Sequence, residues 1–234
     1  AVLLGGGPIP AVLVEKSLAR GIPTAPTYGL TEAASQVATL PPAELALAGD
    51  TAGRALPDTE LRIAREDGSP VDTGEPGQIL VRGPQVMRGY LDRPDDTTRA
   101  LAGGWLHTGD VGTLDAHGRL RVLDRREDLI VTGGENVYPA EVEAALLAHP
   151  SVREAAVIAR ADPEWGQAVH AAVVLAPGAV LDAKALDDWM RTRLAGFKRP
   201  RGYTFRDALP RTASGKLRRA ELRHAGVHGR PPIP

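Results

Sequence analysis

The hydrophobic positions of this chain fall in short runs whose period shifts along its length. Ala1 to Leu4 are unbroken apolar and read as a short buried strand, and GGGPIP then makes a flexible turn whose prolines suit the start of a helix over residues 11–20. A second short segment over 22–27 follows Gly21, after which LPPAELALAGD breaks any regular pattern. From Gly53 to Leu123 apolar and polar residues alternate in TELRIAR, GQILVRG and GRLRVLD, separated by DGSP, GEPG and DAHG. This period of two with glycine turns predicts a small antiparallel sheet or barrel.

LDRREDLIVTGGENVYPAEVEAALLAHP reads as a seam. Its charged run from Asp124 to Asp128 precedes a brief apolar strand, a Gly133-Gly134 turn, and a helix that Pro139 opens and Pro150 closes. Val142, Ala145 and Leu146 give that helix an apolar stripe at spacings of three and four. REAAVIARA, AVHAAVVLAP and GYTFRD read as strands, and Asp182 caps a helix whose face is Leu186, Trp189, Met190 and Leu194. The loop LPRTASGKLRR leads to a final short helix, and the tail over 226–234 is expected to lack order. The expected organisation is a domain over 1–124, a hinge at 125–128, a second α+β domain over 129–225, and the tail.

Composition narrows the chemistry. With 28 basic and 29 acidic side chains the net charge is -1, so there is no overall pull toward nucleic acid or an anionic membrane. The absence of cysteine excludes disulfides, zinc–thiolate sites and a cysteine nucleophile, and fits a cytoplasmic location. No apolar run approaches the roughly 20 residues of a spanning helix. His224 and His228 share a zinc-like spacing, but Gly226 interrupts the helix and no acidic residue lies between them, so a metal site there is rejected.

TYGLTEAASQ packs an aromatic ring, two hydroxyl residues, a glycine and a carboxylate into a short turn. Tyr28 offers a flat face for a base, Thr31 a hydroxyl for a phosphate oxygen, and Glu32 a hard carboxylate for magnesium. GGGP could bring backbone N–H groups close to a ligand, or could be turn punctuation alone. Asp110, just after a glycine in GGWLHTGDVG, could accept two hydrogen bonds from a ribose diol; the plainer reading is a helix or turn cap. Arg125 is by itself a solvated charge. Gly215 leaves the loop around Lys216 mobile and gives its ammonium reach, although Lys216 among Arg211, Arg218 and Arg219 also reads as a surface basic cluster.

Taken in order, LLGGGPIP, YGLTEAASQ, GWLHTGDVG, DRREDLIVTGGENVYPAEVE and PRTASGKLRR resemble the later motifs of the acyl-adenylate-forming enzymes, which include acyl-CoA synthetases, peptide-synthetase adenylation domains and luciferases. The resemblance runs from Gly5 to about Arg223. It implies a mixed α/β and α+β architecture: the end of a large domain with a β-barrel-like subdomain, then a small mobile α+β domain. It further implies that Gly6, Gly7 and Tyr28 bracket adenine, Thr31 touches phosphate, Glu32 holds magnesium, and Asp110 with Arg125 grips ribose. Glu127 matches the hinge and Lys216 the lysine of the adenylation step. After rotation about Glu127, the turn around Thr132, Gly133 and Gly134 would face the thiol of coenzyme A. Val131 stands where some relatives carry a lysine.

Within the family, LLGGGPIP, YGLTEAASQVATL, EWGQAVHAAVVL and FKRPRGYTFRDALPRTASGKLRRAEL look most like the 2-succinylbenzoate–CoA ligases of menaquinone biosynthesis, with Ser35 and Gln36 expected to face the acyl pocket. Other aryl or fatty acyl-CoA synthetases stand as the alternative. The expected partners are ATP, Mg2+, coenzyme A and a carboxylic acid, with a homodimer compatible and no nucleic acid or membrane. The family's Ser/Thr/Gly-rich phosphate loop is not found in the 234 residues, so the chain is expected to be the C-terminal part of a longer enzyme and inactive alone. A different class, a basic nucleic-acid or partner-binding module, rests on Arg199, Arg201, Arg211, Arg218 and Arg219.

Overall fold

In the computed structural model, residues 1–7, 9, 11–213 and 215–224 are described; the tail over 226–234 lies outside them, as do the side chains of His224 and His228. The chain divides into one unit over Ala1–Glu127 and a second that begins at Asp128.

In the first unit β1 (Val2–Leu4) pairs in parallel with β2 (Thr24–Tyr28), and α1 (Ala11–Ala19) connects them. β3 (Ala38–Thr39) and β4 (Arg54–Ala55) continue the sheet antiparallel in the order β1-β2-β3-β4. LPPAELALAGD is more regular than its prolines and glycine suggest. It forms a 3-10 turn that passes directly into α2 (Leu45–Ala48), because Leu45 and Ala48 bury against Val14 and Leu40. Burial of a leucine side chain such as Leu45 contributes about 1.5–3 kcal/mol, enough to override weak local propensity over one turn. The expected burial of β1 is not observed: Val2 and Leu3 are more than half exposed, since β1 is an edge strand paired on one side only.

The alternating segments form an antiparallel meander. It runs through β5 (Glu60–Ala64), β6 (Gly77–Arg82), β7 (Leu106–Leu114) and β8 (Leu120–Arg125), with α3 (Pro94–Ala100) between β6 and β7. Ile79 and Val81 of β6 face a core with Ile63, Leu106 and Leu120, while Leu80 points to the opposite face beside Ala64 and Trp105. β5 and β8 are the two edges, so the sheet is open and not a barrel; four strands are too few to close around side chains. α3 escapes a periodicity reading because it buries no residue. Pro94 in its first turn, Asp95 and Asp96 beside it and Arg99 in the last turn suit the helix dipole instead.

The second unit holds β9 (Ile130–Thr132), β10 (Glu135–Val137), α4 (Pro139–Leu147), β11 (Val152–Asp162), β12 (Gly166–Leu175), α5 (Ala183–Arg191), β13 (Gly202–Phe205) and α6 (Arg219–His224). The sheet order is β10-β9-β12-β11, with β13 parallel to β12. Val169, Ala171 and Val173 of β12 bury against Val142 and Leu146 of α4 and Leu186 and Met190 of α5. Ala172 and Val174 face the other way, onto Leu209 and Leu222. Asp182 caps α5 by accepting from the Ala185 N–H at 2.8 Å.

Candidate functional site

The TYGLTEAASQ stretch is the loop from β2 to β3. Tyr28 ends β2, residues 31–33 make a 3-10 turn, and Ala34 and Ser35 follow with φ of 47° and 88°. Left-handed backbone at consecutive non-glycine residues costs on the order of 1 kcal/mol or more each, and such strain collects at functional loops. The loop is folded tightly enough that a Cβ on Gly29 would lie 1.5 Å from the Ser35 carbonyl oxygen, so only glycine fits. Val37 N–H then returns to the Tyr28 carbonyl at 2.9 Å. Thr31 is exposed and Glu32 half-buried. The Glu32 carbonyl accepts from the Met87 N–H at 2.7 Å, and its carboxylate accepts from the Tyr90 hydroxyl at 2.9 Å.

Asp110 stands beside this loop, inside the strand β7 and not at a helix or turn end. Its pairing partner across the ladder is Arg125 of β8, next to a bulge between Val111 and Gly112. Tyr28 donates to Asp110 Oδ2 at 2.6 Å, and Arg125 Nε lies 3.3 Å from Oδ1. The Asp110 N–H is taken by the Thr108 hydroxyl at 3.1 Å, which in turn donates to the Ile79 carbonyl. Burial raises the Asp110 carboxyl above the usual range; the Tyr28 bond and Arg125 oppose this, and the charges of Glu32 and Glu127 add to it. Burial and the Asp110 charge push the Tyr28 hydroxyl far up, so it remains a donor at all working pH values. A carboxylate has about four acceptor sites, so with one bond on each oxygen Asp110 can still receive a diol.

Of the other sequence-derived positions in this unit, Gly6 and Gly7 follow β1. Leu4, the last residue of β1, pairs with Pro26, so Gly6 lies two residues past the end of β1 and Tyr28 two residues past Pro26 on β2. Ser35 is exposed and Gln36 half-buried on the same loop. Glu127 closes the unit, directly after Arg126, which pairs with Glu66 at 2.5 Å. Sequence reasoning missed Tyr90 and Thr108. The signal for Tyr90 was an aromatic residue set among breakers in RGYLDRP; Thr108 had none, because its role depends on the β6–β7 register.

In the second unit, Thr132 is buried, while Gly133 and Gly134 are exposed at the β9–β10 turn with φ of 58° and 85°. A Cβ on Gly133 would meet the Trp165 ring at 2.5 Å. Val131, exposed, donates its N–H to Gln167 Oε1 at 2.9 Å. Lys216 lies on a hairpin closed by backbone hydrogen bonds. Thr212 N–H bonds the Lys216 carbonyl at 2.8 Å, Arg218 N–H bonds Pro210 O at 2.9 Å, and Arg211 pairs with Leu217 in an isolated bridge. The Lys216 side chain is exposed. Its arginine neighbours do not form an open basic face. Arg211 is paired with Glu154, Arg218 with Glu221, and Arg219 with Glu143 and Asp128.

Among the described residues no group of three or more His, Asp or Glu could hold a metal ion by protein ligands alone. Glu32 fits magnesium differently: Mg2+ is commonly held by one or two carboxylates plus substrate phosphates and water. None of the described helices is long and apolar enough to cross a membrane.

Comparison with known proteins gives the family. Residues 1–91 match the AMP-binding enzyme family, and residues 141–216 match the AMP-binding enzyme C-terminal domain. The 2-succinylbenzoate–CoA ligase of Geobacillus kaustophilus is 51% identical over 95% of this chain and 45% of its own length. A feruloyl-CoA synthase of Amycolatopsis is 46% identical with the same coverages. The o-succinylbenzoate CoA synthetase of Bacillus subtilis, solved with its acyl-adenylate intermediate, superposes with a TM-score of 0.91 at 45% identity, covering 96% of this chain and 46% of that one. The chain thus spans somewhat under half the length of the relatives it matches. With both of its units matched, the chain belongs to the AMP-binding enzyme family.

Proposed function

We propose that this chain carries the nucleotide-holding face and the adenylation lysine of an ATP-dependent carboxylate–CoA ligase whose acid is 2-succinylbenzoate. One observation carries the reading: a buried carboxylate, Asp110, held from either side by Tyr28 and Arg125 at the mouth of a strained loop that presents Thr31 and Glu32. That arrangement suits a ribose on Asp110 and Arg125, adenine against Tyr28 and the Gly6-Gly7 backbone, and phosphate near Thr31. Magnesium, when bound on Glu32 and the phosphates, supplies neutralising charge.

In the first step a carboxylate oxygen of the acid attacks the α-phosphorus of ATP and pyrophosphate leaves. An anion must approach a polyanion there, so a positioned cation lowers the barrier, and the exposed Lys216 ammonium fills that role. In the second step the coenzyme A thiol attacks the acyl carbonyl and AMP leaves. Glu127 serves as the hinge between the two steps. Gly133 and Gly134 then line the passage for the thiol arm, where missing side chains leave room. Ser35 and Gln36 sit at the acyl side of the loop. The cysteine-free sequence supports a cytoplasmic enzyme.

The test is pyrophosphate exchange by the enzyme carrying this chain, with 2-succinylbenzoate, ferulate, benzoate and a fatty acid in parallel. Exchange with 2-succinylbenzoate is expected. Exchange with ferulate alone would move the assignment to the second reading, which the feruloyl-CoA synthase relatives favour. Exchange with none of the acids would reject a ligase. The paired state of Arg211, Arg218 and Arg219 disfavours a nucleic-acid module.

A further inference from the structure

Three charged side chains of the second unit form a network that the ligase reading leaves unexplained. Arg219, the first residue of α6, sends Nη2 to both oxygens of Glu143 at 2.7 and 2.9 Å, and places Nη1 3.4 Å from Asp128 Oδ2. The side chains of Arg219, Glu143 and Asp128 are only 15, 8 and 10% exposed, which sets this network apart from the ion pairs at the protein surface. Glu143 also accepts the Val157 N–H of β11 at 2.8 Å, and Arg223, one turn along α6, pairs with the other oxygen of Asp128. Charges this far from water persist only when their geometry is well satisfied, and removing one partner is costly.

The network joins places that matter. Asp128 is the first residue of the second unit and follows Glu127 directly. Arg219 is the third residue after Lys216. The two residues between are held in place, Leu217 by its bridge to Arg211 and its packing against the Ala156–Leu222 core, and Arg218 by its N–H bond to Pro210. Little freedom separates the Lys216 backbone from the Arg219 guanidinium.

We propose that Arg219 is a positioning residue for Lys216: its clamp on Glu143 and Asp128 fixes the Lys216 hairpin to the residue that opens the second unit, so that the ammonium moves as one body with the seam. The proposal rests on the ligase reading. It predicts a split between half-reactions, since only adenylation uses Lys216.

The experiment uses the whole enzyme and the variants Arg219→Lys, Arg219→Gln and Glu143→Gln. It measures pyrophosphate exchange with 2-succinylbenzoate, and separately thioester formation from synthetic 2-succinylbenzoyl-AMP and coenzyme A. Misplacement of a reacting group by about 1 Å can cost about a hundredfold, so kcat for exchange should fall about tenfold or more. KM for ATP and the thioester half-reaction should stay within about twofold, because neither draws on Lys216. Arg219→Lys keeps the charge but loses the fork and should show the same split with the fold intact; Glu143→Gln keeps an acceptor for Val157 and serves if the arginine variants unfold. Equal loss in both half-reactions, or no loss in either, would overturn the proposal. If the unmodified enzyme shows no exchange with any acid, the ligase reading itself fails and the positioning role goes with it.

Discussion

The Tyr28 hydroxyl lies 2.6 Å from Asp110 Oδ2, a donor and an acceptor 82 residues apart in sequence that reach each other from different sheets of one unit. Burial raises the pKa of the Asp110 carboxyl and this bond opposes the rise, so it favours the ionised, accepting form. Tyr28→Phe should therefore raise the Asp110 pKa further and move the acidic limb of kcat/KM for ATP to higher pH. Loss of a hydrogen bond to a charged acceptor should also cost about 1–3 kcal/mol of stability. A pH–rate profile of the variant checks this, and an unmoved limb would contradict it.

Lys216→Ala should slow adenylation by on the order of a hundredfold to a thousandfold, the usual loss for one preorganised donor to a developing negative charge. Thioester formation from preformed acyl-adenylate should be nearly unchanged. Rapid-quench measurement of each half-reaction separates the two.

Gly29→Ala places a methyl group on the Ser35 carbonyl, a backbone atom that cannot swing aside. The loop must open or shift, at a cost of about 1–3 kcal/mol. Urea unfolding reads the stability, and Kd for ATP should weaken with it, since the same loop carries Thr31 and Glu32.

Asp115 provides a pH test of the first unit. Burial raises its pKa, but the Arg119 N–H and guanidinium and the His117 N–H outweigh burial and hold it at about 2, below the ordinary 3.8. A carboxyl whose folded pKa is depressed adds stability that is full above the unfolded value and is lost as pH falls toward the folded one. Asp115→Ala should therefore cost on the order of 1 kcal/mol at pH 7, after allowance for screening at a partly exposed site, and almost nothing near pH 2. Denaturant midpoints of both proteins at the two pH values test the sign.

Much of the strand pattern was legible in the chain because its causes are local. Alternation exposed β5, β6 and β8, and the stripe of Val142, Ala145 and Leu146 exposed α4, since each pattern reports which face meets a core. α3 was invisible, having no apolar face to betray it, and β7 was hidden because Gly109 and Gly112 interrupt its alternation. β1 was expected to be buried by its composition, yet burial depends on what covers a strand and not on its residues alone.

For the candidate site, residue types and motif order were readable: Tyr28, Thr31, Glu32, Asp110, Arg125 and Lys216 all stand in the short motifs that carry the family resemblance. Sequence alone determined which groups are present and the period of the elements that hold them. Only the tertiary structure decided that Asp110 sits in a strand opposite Arg125, that Tyr28 reaches it, that the Lys216 hairpin is closed by backbone hydrogen bonds, and that Arg219 is clamped between Glu143 and Asp128. Those relationships depend on register and long-range packing, where one residue of slip along a strand turns a side chain to the opposite face, and no local pattern encodes that choice.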